Sequence, residues 1–103
     1  MKILMVVNPE AGGGKGAKIV NQVRNEFLIR SCEVLEVRTK LQRKGKETLA
    51  YGWKEFLKTF SQPPERLVVV GGDGTLNEVV NGLNERVPVA FIPAGTASVF
   101  AKE

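Results

Sequence analysis

The sequence predicts an α/β domain of three layers, α/β/α, built on a parallel sheet, and three observations carry that prediction. A continuous apolar run at Ile3–Val7 and the strand Arg66–Val70, apolar from Leu67 on, read as buried strands of a sheet covered on both faces. Between and after these runs, apolar residues recur at helical spacing. The resulting order, β-α-β-α-β-α-β with short connections, calls for right-handed crossovers that cover both faces of the sheet with helices.

Each element follows from its residues. The first strand is Ile3–Val7 (ILMVV), and the first helical stripe is Ile19, Val20, Val23 and Phe27. Glu33–Arg38 (EVLEVR) is a short second strand rich in Val and Leu. A second helical stripe, Leu49, Trp53, Phe56, Leu57 and Phe60, stops before Pro63-Pro64, which reads as a connector. Arg66–Val70 (RLVVV) is the third strand. Leu76, Val79, Val80 and Leu83 mark a third helix ending near Asn84, and Pro88–Ile92 (PVAFI) is the fourth strand. Thr96 then caps a further helix that has barely begun. With 103 residues, 43% of them hydrophobic, the chain fits one domain, 1–103, with no room for a second.

Composition removes several kinds of chemistry. There is no His and one Cys, Cys32, and the eleven acids are ten Glu plus Asp73. A Ser-His-Asp triad, a Cys-His pair, a His-based metal site, an internal disulfide and a multi-Cys zinc cluster are all excluded. Carboxylates, Lys and Arg, hydroxyls, backbone amides and a borrowed cation remain. The single Cys suits a reducing compartment, and no targeting or membrane segment is visible, so a cytoplasmic protein is expected. The net charge of +4 is uneven: residues 1–60 carry twelve basic and six acidic side chains, residues 61–103 three and five. Five of the nine residues from Arg38 to Lys46 are basic, with no aromatic among them. This reads as a solvated or anion-attracting face, able to meet anionic lipid headgroups, rather than a nucleic-acid surface, which needs stacking platforms as well.

In parallel sheets of this kind ligands bind outside the carboxyl ends of the strands. Eight of the eleven glycines lie in the turns after strands one, three and four. That concentration favours close backbone approach to a ligand over simple punctuation. The first turn, Asn8 to Gly16, offers backbone amides at a helix start, with Lys15 as a point charge. It fails the Walker A pattern but contains a G-x-G-x-x-A match (Gly12, Gly14, Ala17), and Glu36 near the end of strand two stands where a Rossmann ribose ligand would. A ligand-free flexible loop is the other reading. The second turn, Gly71-Gly72-Asp73-Gly74-Thr75, places the only Asp between glycines. Either Asp73 and Thr75 cap the helix, or the amides of Gly72, Gly74 and Thr75 cradle phosphate while Asp73 holds Mg²⁺. The third turn, Pro93-Ala94-Gly95-Thr96, would supply another wall of the same crevice.

Asn8-Pro9 with Gly12 and Lys15, then GGDGTLNEVV at 71–80, then Pro-Ala-Gly-Thr at 93–96, closely resemble the catalytic domain of diacylglycerol kinases, a family related to sphingosine and ceramide kinases. The resemblance covers almost the whole chain, in order and spacing. GGDGT alone also fits NAD kinases and phosphofructokinase-like enzymes; the following Asn-Glu, the Asn-Pro start and the Pro-Ala-Gly-Thr turn select lipid kinases. It implies a Rossmann-like lobe of the phosphofructokinase and NAD kinase kind. ATP and Mg²⁺ are implied at the turns, with Asp73 and Lys15 as catalytic residues and Asp73 as the metal ligand. The implied nucleotide site comprises Asn8, Gly12, Thr39, Gly71, Gly72, Gly74, Thr75, Leu76, Asn77, Glu78, Gly95 and Thr96.

The resemblance further implies transfer of the ATP γ-phosphate to a lipid hydroxyl, most simply that of diacylglycerol, with peripheral membrane contact and no nucleic-acid partner. Two departures stand out. After Ala97, Ser98 and Val99 stand where the family usually has Asn and then often Asp, and the sequence ends at Glu103, where family members continue into a β-rich lobe expected to activate the acceptor. Residues 1–103 therefore read as the nucleotide-binding half of a kinase, itself expected to be inactive. A soluble-substrate kinase and a non-catalytic nucleotide-binding module are the rival readings.

Overall fold

The computed structural model describes residues 1–94. It contains β1 (Lys2–Val7), α1 (Lys15–Ile29), β2 (Glu33–Arg38), α2 (Gly45–Phe60), β3 (Arg66–Gly71), α3 (Asp73–Gly82) and β4 (Val89–Pro93). The four strands form one sheet in the order β2-β1-β3-β4, every pairing parallel. Gly95, Thr96, Ser98 and Val99, and the helix expected to start at Thr96, lie outside the described residues.

After their first residues, Lys2 and Arg66, the two central strands carry no polar side chain, because both of their faces are covered. Ile3, Met5 and Val7 of β1, with Val68 and Val70 of β3, pack on Val20 of α1 and on the half-buried Ile19, Val23 and Phe27. Leu4, Val6, Leu67 and Val69 point the other way, onto Leu49 and Phe56 of α2 and Val79 of α3. The period-2 alternation of a strand thus feeds two cores at once. Each fully buried Leu, Val or Phe contributes about 1.5–3 kcal/mol. The helical stripes read from the sequence mark the faces that meet the sheet, except that Leu57 of α2 and Val80 of α3 are exposed.

Several boundaries shift by a residue or two from expectation (β1 begins at Lys2, β3 ends at Gly71 and β4 ends at Pro93), and two of the shifts have a local reason. Helix α3 stops at Gly82, because Leu83 takes extended backbone with ψ 120°. Strand β4 begins at Val89 rather than Pro88. Proline has no N–H to give the ladder, so Pro88 joins only through its carbonyl, which accepts the Leu67 amide at 3.0 Å.

Strand order decides where a ligand can sit. From β1 the chain passes to β2 with α1 on one face, and from β2 it crosses over β1 to β3 with α2 on the other. From β3 it continues outward to β4. Connections leaving β1 and β3 therefore diverge, and a crevice opens beyond their carboxyl ends.

Candidate functional site

Three connections converge on that crevice. Past the end of β1, Asn8 extends the ladder by donating its amide to the Val70 carbonyl at 2.8 Å. Its side chain works in two directions. The Oδ1 accepts the Glu10 amide at 3.1 Å, an Asx turn that bends the chain away from the strand. The Nδ2 donates to Thr75 Oγ1 at 3.2 Å, which ties the turn after β1 to the start of α3.

The glycine run that follows is a backbone device. Gly12, Gly13 and Gly14 all have positive φ, at 64°, 68° and 93°. The amides of Ala11, Gly14, Lys15 and Gly16 are taken up by carbonyls of the same turn, leaving those of Gly12 and Gly13 without partners among the described residues. Gly16 lies so close to β1 that a Cβ there would stand 2.5 Å from the Asn8 carbonyl oxygen. Lys15 is exposed at the first position of α1.

After β3 the logic differs. Gly71 is buried, and a Cβ on it would press on Thr75 and Asn8 at 3.1–3.3 Å. Gly72 is the N-cap of α3 in extended backbone, and no side chain caps the helix. Asp73, the first helical residue, is exposed and is therefore not the cap that its position suggested. At Gly72 and Gly74 a Cβ would meet nothing within 4 Å among the described residues, and neither has positive φ. Thr75 is 8% exposed, its hydroxyl engaged by Asn8. Leu76 turns into the core beside α2, and Asn77 faces solvent.

The third wall comes from the β2–α2 connection. Thr39 donates its amide to Val7 at 2.8 Å, so the chain leaves β2 alongside β1. Lys40 and Arg43 close a small antiparallel bridge, and the Gly45 amide at the start of α2 donates to Glu78 Oε1 at 2.9 Å. Glu78 thus anchors α2 to α3 across the crevice. A Cβ on Gly45 would lie 2.8 Å from the Glu78 Cβ, so the closeness requires the glycine.

Together these segments enclose a cleft of about 620 Å³. Of the residues singled out from the sequence, Asn8, Thr39, Gly74, Thr75 and Glu78 line it. Gly12, Lys15, Gly71, Gly72, Asp73, Leu76 and Asn77 do not, although Gly72 and Asp73 immediately precede two residues that do. Sequence reasoning missed Pro9, Glu10, Lys40, Leu41, Lys44 and Gly45 as lining residues. The basic stretch Arg38–Lys46 was the available signal, but only tertiary structure brings it to the cleft. Glu36 serves the fold instead, since it pairs with Arg24 of α1 and Arg38 of β2 and does not line the cleft.

Among the described residues no group of three His, Cys, Asp or Glu side chains could hold a metal by itself. A lone carboxylate with open space beside it still suits Mg²⁺, which keeps most of its waters and completes its shell with phosphate oxygens. No helix among these residues is long and apolar enough to cross a membrane.

Comparison with known proteins agrees with this layout. Residues 2–103 match the family model described as the diacylglycerol kinase catalytic domain. A diacylglycerol kinase of Staphylococcus aureus is 36% identical over 98 residues, which cover 85% of this chain and 31% of that protein. The diacylglycerol kinase of Staphylococcus carnosus is 40% identical over 77 residues, covering 65% of this chain and 25% of the relative. A crystal structure of a diacylglycerol kinase from Bacillus anthracis superposes with a TM-score of 0.60 at 31% identity, over 98% of this chain and 35% of the other. The chain therefore spans between a quarter and about a third of the length of these proteins.

Proposed function

The chain belongs to the diacylglycerol kinase catalytic-domain family, and on that premise we propose that its cleft holds ATP with Mg²⁺ for phosphoryl transfer to a lipid hydroxyl, that of diacylglycerol. One observation carries the reading. Gly72 and Gly74 flank Asp73 at the start of a helix that no side chain caps, and neither backbone angle nor any neighbour among the described residues explains their lack of a side chain. Space for phosphate oxygens explains it, since oxygens need to reach the amides at the N-terminus of α3.

The residues divide the work by position. The amides of Gly74 and Thr75 and the positive end of α3 favour phosphate charge in the adjoining cleft. Asp73 would hold Mg²⁺, which when bound neutralises phosphate charge as the transfer proceeds. Asn8 keeps the Thr75 hydroxyl and the first turn in register. Glu78 is a positioning residue, fixing the start of α2 through Gly45. Lys40 and Lys44 supply positive charge to the cleft wall. Such a transfer depends on positioning and charge stabilisation, so a site without His is sufficient. Residues 1–103 form the nucleotide part of this enzyme, and we assign lipid binding and the acceptor proton to residues outside them.

The test is a phosphorylation assay of the full-length protein with radiolabelled ATP. Acceptors are diacylglycerol, sphingosine and NAD, each with and without Mg²⁺. Label in diacylglycerol that disappears without Mg²⁺ is the expected result. Label only in NAD, or none in any lipid, overturns the lipid-kinase reading.

A further inference from the structure

We propose that Arg43 is a positioning residue for nucleotide binding, holding the connection between β2 and α2 in the form that lets Thr39, Lys40 and Lys44 meet ATP. This rests on the ATP reading of the cleft. Arg43 does not itself line the cleft and acts through the residues that do.

The connection needs something to shape it. Thr39, Lys40, Leu41, Lys44 and Gly45 all border the cleft, so this one segment forms a whole wall. No acid lies between residues 40 and 46 to offset Lys40, Lys44 and Lys46. None of the three lysines forms an ion pair among the described residues. Like charges so close together favour a splayed turn.

Arg43 ties this segment to the elements on either side. The Lys40 amide donates to the Arg43 carbonyl at 2.8 Å, and the Arg43 amide donates to the Lys40 carbonyl at 3.1 Å. Toward the sheet, the guanidinium donates to the carbonyl of Arg38, the last residue of β2, at 2.8 Å. Toward α2, the hydroxyl of the buried Thr48 donates to the Arg43 carbonyl at 2.9 Å. The guanidinium also lies over the Tyr51 ring, 4.1 Å from its centroid. Arginine suits both tasks, since its planar group stacks on an aromatic face while an edge N–H reaches a carbonyl. Stability alone does not account for the arrangement. Arg43 has no carboxylate partner among the described residues, and its Nε is buried with no hydrogen-bond partner there, which costs free energy. What the arrangement supplies is a wall fixed in advance, so that ATP does not have to order Lys40 and Lys44 as it binds.

Calorimetric titration of the full-length protein with ATP and Mg²⁺, together with initial rates on diacylglycerol in uncharged detergent micelles, tests this. Arg43→Gln is expected to raise the dissociation constant and the KM for ATP roughly tenfold, with kcat within about twofold of the parent, because Asp73 and the start of α3 are untouched. Tyr51→Leu is expected to raise both constants about threefold, whereas Tyr51→Phe, which keeps the ring face, is expected to match the parent. Arg30→Gln, at an exposed arginine paired with Glu26, is also expected to match it. Unchanged ATP binding in Arg43→Gln, a loss confined to kcat, or Tyr51→Leu and Tyr51→Phe that behave alike overturns the proposal. If Arg43→Gln does not fold, the Tyr51 pair decides, since that ring is 45% exposed. A parent that binds ATP but labels no lipid counts against the lipid acceptor alone, because the dissociation constants still judge Arg43. A parent that binds no ATP overturns both readings.

Discussion

The turns after β1 and β3 are both rich in glycine and both precede a helix, yet their glycines have different causes. After β1 the chain accounts for them itself: three in succession occupy positive φ, and Gly16 is pressed against the Asn8 carbonyl. After β3 only Gly71 is explained by a neighbour, while Gly72 and Gly74 have ordinary backbone angles and open space. The first turn is glycine-rich in order to fold; the second, on the function proposed above, in order to leave room. Counting glycines cannot separate these causes, because both give the same letters.

The contrast can be broken experimentally, and the largest expected effect is at Asp73. Asp73→Asn removes a charge from an exposed side chain that caps nothing. Stability should stay within about 0.5 kcal/mol, while lipid phosphorylation falls about 10²–10³-fold, as for loss of one charge-stabilising group. Retained activity would show that the open space beside it serves some other ligand.

Gly16→Ala should do the reverse of a functional lesion. Its Cβ would meet a backbone oxygen at 2.5 Å, so β1 or α1 must move. Urea denaturation should show a loss of about 1–3 kcal/mol. A neutral result would mean that the first turn relaxes freely and that its packing is not what requires glycine.

Thr75→Val probes the link between the two turns. The substitution keeps the shape but strands the Asn8 Nδ2 donor, with an expected cost of about 1 kcal/mol. In the double variant with Asn8→Ala, the two effects should not add. Simple additivity would show that the bond contributes nothing.

Gly74→Ala gives the smallest stability change and the sharpest discrimination. Alanine is the better helix former and would meet no atom of the described residues there, so thermal unfolding should show a gain of up to about 1 kcal/mol. Titration with ATP should nevertheless show weaker binding than in the parent. A variant that is more stable and binds ATP equally well would remove the functional reason for this glycine.

Sequence patterning made most of the fold legible because period-2 and period-3.6 burial are local properties of a chain. Ile3–Val7 and Leu67–Val70 are apolar at every position since each side chain finds a core on one face or the other, and most stripe residues on α1, α2 and α3, Leu57 and Val80 excepted, mark the faces that meet them. Residues of the GGDGT turn were readable for a similar reason, being neighbours along the chain. Lys40, Leu41, Lys44 and Gly45 were not, because nothing local in a basic stretch says that it borders a cleft with residues more than thirty positions away.

By itself, then, the sequence determined the order and type of the elements and the family, and it pointed to two of the three connections that border the cleft, those after β1 and β3. Tertiary structure alone decided the rest. The order β2-β1-β3-β4 opens the crevice between β1 and β3, Asn8 binds Thr75 across it, and Glu78 clamps Gly45 over it. These are contacts between residues distant along the chain, and they come from crossovers that carry one loop over another. A local pattern encodes which face of an element is buried. Only the assembled sheet settles which elements face each other.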